Sequence, residues 1–232
     1  MTARIIIAAA LAGLIAGLVV SVVQQFRITP LILAAEHYEQ AGGHDYPTPS
    51  ANAETPADGQ AWAPRGGIER TLYTVAANVV AGVGFALVLA AASLLTGLPL
   101  NLANGAVWGL AGFAAFMLAP SAGLPPELPG MPAADLAARQ AWWWATVAAT
   151  GIAIVLAVCF VRPWAWIAGL VLVLLPHVFG APQPLSHDSA VPAALATSFA
   201  ANAIVAQAVF WVVLGTALGH LMARLSHPPQ EA

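Results

Sequence analysis

Along the chain, apolar positions gather in long unbroken blocks instead of alternating with polar ones. Ile5–Phe26 runs for 22 residues without a charge, and five further blocks follow at Leu72–Leu95, Leu102–Leu118, Ala141–Val161, Trp164–Phe179 and Phe199–Leu221. Crossing about 30 Å of hydrocarbon takes about 20 helical residues. The pattern therefore predicts an all-α, polytopic membrane protein of about six transmembrane helices, with the third and fifth blocks short for a full span. The connections alternate in length. Arg27–Arg70, Ala119–Gln140 and Gly180–Ser198 are long, rich in Pro and Gly, and fall together on one side, the loop end. The second-to-third link and the Arg162-Pro163 turn are short and fall on the other. Within the first long connection, "PTPSANAETPADGQ" (Pro47–Gln60) is too poor in large apolar side chains to form a core. The chain 1–232 is thus expected to be a single transmembrane domain with a flexible extracytoplasmic loop at about 42–68.

Composition agrees with the blocks. The chain is 60% hydrophobic and 7% charged, where a soluble domain carries about 25% charged residues, and its mean hydropathy is +0.81. The lipid bilayer is the expected solvent. The net charge is −3 and the seven cations are all arginine, which argues against a nucleic-acid partner, since that needs a dense basic patch. Cys159 is the only cysteine, so neither an intrachain disulfide nor a thiolate metal cluster is available. No G-x4-G-K-[ST] loop, G-x-S-x-G elbow or intramembrane aspartate pair occurs, so no enzyme activity and no organic cofactor are expected. The first block has the look of a signal peptide, but it is longer than a normal apolar core and ends in Gln24-Gln25-Phe26 without an Ala-x-Ala site. It reads as a retained helix. Arg4, Arg162 and Arg224 abut helix ends on the short-turn side, with Arg27 opposing them. Together with the translocation of long loops, they favour cytoplasmic termini.

Small residues four apart, Gly13-x3-Gly17, Gly105-x3-Gly109 and Gly215-x3-Gly219, predict close helix crossings and leave a homo-oligomer seam as the alternative use. Asn78, Asn202 and Gln207 are expected to bond between helices. Trp142–Trp144, Trp164 and Trp166 are expected at the headgroup boundary.

The ionisable residues are lopsided. Nine of the ten acids lie on the loop end, joined there by His37, His44, His177 and His187. "AAEHYEQAGGHD" (Ala34–Asp45) gathers Glu36, His37, Glu39, His44 and Asp45. A short helix from Leu31 to about Ala41 would put Glu36 and Glu39 on one face, with His37 on its flank. Carboxylate and imidazole donors without thiolate suit a divalent first-row cation; a solvated interfacial helix is the alternative. His177 lies 13 residues into the fifth block, about 20 Å along a helix, still at the outer edge of the hydrocarbon. Intramembrane ionisable side chains are functional candidates; Pro176 precedes it, and Gly180, Pro182 and Pro184 stop a regular helix just after it. Interrupted spans of this kind often build transport sites. The candidate metal ligands are therefore His177, Glu36, His37 and Glu39.

Several segments, taken in order, resemble the CbtA family of cobalt-transporter membrane subunits: "PLILAAEHYE", "WAPRGGIERTLYT", "WGLAGFAAFMLAPSAGLPPELPG", "RQAWWWATVAAT", "LPHVFGAPQP" and "VPAALATSFA". The resemblance implies Co²⁺ as the transported ion and a link to cobalamin synthesis. It also implies residence in the bacterial inner membrane and a small histidine-bearing single-span partner, CbtB. It marks Glu36, Glu39, Glu69, Arg70, Glu127, Arg139 and His177. Arg70 and Arg139 just precede the second and fourth blocks, where partly desolvated guanidiniums need carboxylates. Glu69, Arg70, Glu127 and Arg139 are accordingly expected in structural ion pairs. The alternative to a transporter is a non-transporting scaffold or metal-delivery accessory.

Overall fold

The structure, a computed structural model, describes residues 2–42 and 67–226, with the backbone alone at 39–42 and 225–226. Most of the loop expected at 42–68 lies outside the described residues. Those residues form helices α1 (Thr2–Arg27), α2 (Thr29–Gly42), α3 (Ile68–Thr96), α4 (Gly105–Ser121), α5 (Leu136–Cys159), α6 (Pro163–Phe179) and α7 (Ala193–Ser226), and no strand. α1, α3, α5 and α7 are long and apolar enough to cross a membrane; α4 and α6, with 17 residues each, are the two short blocks. At 1.5 Å per residue each covers about 26 Å, slightly less than the hydrocarbon. The protein is an all-α, polytopic membrane protein. Its outer surface is apolar, with Ile68, Leu95, Val161 and Phe179 between 81% and 88% exposed, as lipid contact requires.

α1 packs along α3 and α7, and α7 also packs along α4. These crossings are close because the facing residues are small. α1 buries Ala8, Ala9, Ala12 and Ala16. A Cβ on Gly13 would collide with the backbone of Val83, and one on Gly17 would lie 2.7 Å from Val79 Cα. Between α4 and α7 the two remaining glycine motifs meet each other. A Cβ on Gly105 would lie 2.5 Å from the Gly215 carbonyl, and one on Gly109 would collide with the Trp211 carbonyl. Backbone contact replaces side-chain interdigitation, which suits helices that cannot rely on a hydrophobic force in lipid. All three motifs are used within the chain. At the level of Trp211, which is 1% exposed, Phe85 of α3 and Phe116 of α4 pack against its ring at centroid distances of 4.8 and 5.5 Å.

α5 and α6 form a separate hairpin. α6 packs along α5, and α5 reaches the other helices mainly through the last turns of α4. There, Ala114–Leu118 is widened into a π turn. Pro120 has no N–H to give to the carbonyl four residues back and its ring crowds that position. A local widening of the helix accommodates it. Phe116 in this turn meets Trp143 of α5 at 6.1 Å.

Candidate functional site

Three arrangements occupy the loop end. The first joins α2 to α3. α1 ends at Arg27, and α2 starts at Thr29 with Leu31 and Ile32 donating to the Ile28 carbonyl at 3.0 and 3.1 Å. Pro30 sits in the first turn, where a missing N–H is tolerated. α2 buries Ala35 against Leu128 and Val191, with Ile32 and Phe199 packed around them. That contact turns the flank carrying Glu36 toward α3, and Arg70 Nη2 donates to Glu36 Oε1 at 2.6 Å. Both side chains are about one-third exposed, so the pair is partly screened. His37 is exposed. Next to Arg70 is a crevice of about 320 Å³ lined by Gln24, Gln25, Thr29, Thr71 and Thr74 among others. One turn deeper, Asn78 Nδ2 donates to Ser21 Oγ at 2.9 Å and Gln24 Oε1 at 2.7 Å. This is the interhelical bonding expected of Asn78. Asn202 instead bonds the Ser198 carbonyl of its own helix.

The second arrangement joins the α4–α5 connection to α5. Asp135 caps α5, its Oδ2 accepting from the Ala138 N–H at 2.9 Å. One turn on, Arg139 Nη2 donates to Glu127 Oε2 at 2.7 Å. A cavity of about 380 Å³ adjoins the pair, floored by Met117, Leu136 and Trp143.

The third is built on His177. Nδ1 lies 2.8 Å from the Val173 carbonyl on the same helix, and Nε2 lies 3.0 Å from the Ala119 carbonyl at the end of α4. Trp142 stands nearly perpendicular to the imidazole at 5.5 Å, and its Nε1–H donates to the Pro176 carbonyl at 3.0 Å. Trp142 is therefore buried, whereas Trp144, Trp164 and Trp166 are more than half exposed, as boundary rings should be. A Cβ on Gly123 would lie 2.5 Å from the Trp142 ring; the loop can close over the indole only with glycine there.

The expected ion pairs thus take a definite form: Glu127 with Arg139, and Glu36 with Arg70. Glu69 makes no ion pair among the described residues. It sits in the first turn of α3, where a carboxylate suits the positive end of the helix. The Glu39 side chain, His44 and Asp45 lie outside the described residues. Among those described, no three or more His, Cys, Asp or Glu side chains converge as a metal site. His177 faces carbonyl oxygens, and acting as a ligand would require its ring to give up one of them. Sequence reasoning missed two parts of this arrangement, Trp142 and the Ala119 carbonyl. The fourfold spacing of Trp142, Thr146 and Thr150 on one buried face was the available signal for the first.

The family described as "Probable cobalt transporter subunit (CbtA)" matches residues 2–223. The chain belongs to the CbtA family. No curated protein and no solved structure matches it. The CbtA match covers all seven helices up to the last turn of α7, so both arginine–glutamate pairs and the His177 arrangement lie within the family's extent.

Proposed function

We propose that the chain is the membrane subunit of a cobalt-transport system that draws Co²⁺ to its loop end through α2 and the connection after it. The CbtA match carries the cobalt assignment. The charge distribution supports the place. Residues 36–70 hold six acids against two arginines, whereas the net charge of the whole chain is only −3. An acidic segment over a low-dielectric body raises the local concentration of dications. Glu36, with one oxygen engaged by Arg70, Glu39, and His37, which is exposed, are the donors assigned to this first encounter. In this reading His177 holds together the broken helix ends beneath them. The long loops face outside the bacterial inner membrane, the termini face the cytoplasm, and a CbtB-like single-span subunit completes the site.

The test is accumulation of radioactive cobalt in cells carrying the subunits. A variant combining Glu36→Gln, His37→Ala and Glu39→Gln is expected to lose several-fold in uptake at limiting cobalt and to recover at high cobalt. Full uptake at limiting cobalt with normal expression would reject the capture role. A second reading, a non-transporting scaffold or metal-delivery accessory, is favoured by the lack of a converged ligand group among the described residues. Chain and single-span partner reconstituted together in liposomes separate the two, because a non-transporting scaffold gives no cobalt flux even with its partner present.

A further inference from the structure

The cavity beside Arg139 is walled by two helix faces. On α5, Leu136, Arg139, Gln140 and Trp143 follow one another at i, i+3, i+4 and i+7. Met117, Pro120, Ser121 and Leu124 repeat that spacing along the end of α4 and the turn after it, where the Leu124 N–H donates to the Pro120 carbonyl. Residues so spaced share one face of a helix. Pro125, Pro126 and Glu127 close the polar end. The two prolines restrict their own backbone, and Leu128, 3% exposed, anchors the segment in the small core with Ala35 and Val191. Glu127 is thus fixed at the rim by its neighbours.

Depth sorts this lining. α5 has 24 residues and is about 36 Å long, against about 30 Å of hydrocarbon. Its first turn, Leu136–Arg139, therefore stands at headgroup level when its far end meets the opposite boundary. Trp143, one turn below Arg139, reaches the level where acyl chains begin. The cavity is charged at the top and apolar at the floor. Its volume of about 380 Å³ falls among ligand-sized sites, about 300–1,000 Å³. The molecule present at that depth with a charged head and an apolar body is a phospholipid.

The ion pair narrows the headgroup. Arg139 Nη2 donates to Glu127 Oε2, and neither side chain makes another hydrogen bond among the described residues. Glu127 Oε1 and the other guanidinium N–H groups remain available, and the pair as a whole is neutral. An anionic headgroup would gain Arg139 but set its charge against Glu127. A zwitterion offers one charge to each. Phosphate takes guanidinium N–H groups in the geometry arginine favours, and an ammonium two carbons away reaches the free carboxylate oxygen. A primary ammonium donates hydrogen bonds there, which a quaternary one has no N–H to do.

We propose that the cavity between α4 and α5 binds one phospholipid with a phosphoethanolamine headgroup. The phosphate lies on Arg139, the ammonium on Glu127, and the start of an acyl chain on Trp143 and Met117. The lipid fills the space where the α5–α6 hairpin meets the end of α4, which is where α5 makes most of its contact with the bundle. The site rests on the cavity and its ion pair and is independent of what the protein carries.

The experiment uses full-length protein stripped of lipid in detergent and offered equal amounts of phosphatidylethanolamine, phosphatidylglycerol and phosphatidylcholine with the same chains. Native mass spectrometry counts what each chain retains. The expected result is one phosphatidylethanolamine, kept several-fold better than the other two. Glu127→Gln frees the arginine charge and should turn the preference toward phosphatidylglycerol, whereas Arg139→Gln should lose retention of both. Glu36→Gln, which breaks the other arginine–glutamate pair, should leave the preference intact. A second measurement places the chain: phosphatidylethanolamine brominated near the head of its acyl chains should quench tryptophan emission more than the matching phosphatidylcholine, and Trp143→Phe should remove that excess. Equal retention of the three lipids by the native chain would overturn the site. So would a preference unchanged in Glu127→Gln or lost in Glu36→Gln, or an excess of quenching that survives Trp143→Phe.

Discussion

The bundle of α1, α3, α4 and α7 and the hairpin of α5 and α6 are built from equally apolar helices but held in different ways. The bundle is seamed by glycine and alanine, so that backbones touch across α1–α3 and α4–α7. The hairpin has one comparable approach, where a Cβ on Gly169 would lie 3.3 Å from the Ala153 carbonyl, and Gly151 opens onto empty space. Its attachment to the bundle is local: Trp143 on Phe116, and His177 on Ala119, with Trp142 fixing Pro176. Close backbone packing over many turns gives a unit that moves as one body. A single polar and aromatic attachment beside two prolines gives a unit that can pivot. The difference is one of where packing energy lies, not of hydrophobicity.

The contrast can be broken most severely in the bundle. Gly109→Leu forces a side chain into the Trp211 backbone, and overpacking there should cost about 3 kcal/mol. Loss of folded protein in a thermal-denaturation assay after detergent extraction is the expected outcome. Gly151→Leu on the hairpin serves as its partner experiment and should leave the melting temperature nearly unchanged. Trp142→Phe keeps most of the ring but removes the Nε1 bond to Pro176, for a loss of about 1 kcal/mol. Thr150 carries the one buried side-chain oxygen without a partner among the described residues. Thr150→Val is therefore expected to raise stability slightly, by roughly 1 kcal/mol or less, in the same melting assay. The smallest change should come from Glu127→Gln. Its pair with Arg139 is about one-quarter exposed on each side, and such pairs are worth about 1 kcal/mol or less after screening.

Six apolar blocks were legible as six helices, including the two short ones. The short helix expected from Leu31 was also a local signal, and α2 starts at Thr29. Partnership was not local. Nothing around Gly105 says that it meets Gly215, because small residues mark a close crossing without naming the other helix. Glu36 and Arg70 are 34 residues apart, and Glu39 or Glu69 would have served as well by charge alone. His177 stood out by its depth, yet the atom it reaches on α4 is a backbone carbonyl, which every residue has. Trp142 looked like its two neighbours until the helix turned it inward, since one indole in a run of three carries no hydropathy signal of its own.

The most direct test of cobalt handling at the loop end is cobalt binding to purified full-length protein in nanodiscs, followed by calorimetry. The account predicts saturable binding that weakens sharply when Glu36→Gln, His37→Ala and Glu39→Gln are combined and persists in His177→Gln. Binding untouched by the triple substitution, or no saturable binding by the native chain with its partner subunit present, would contradict it.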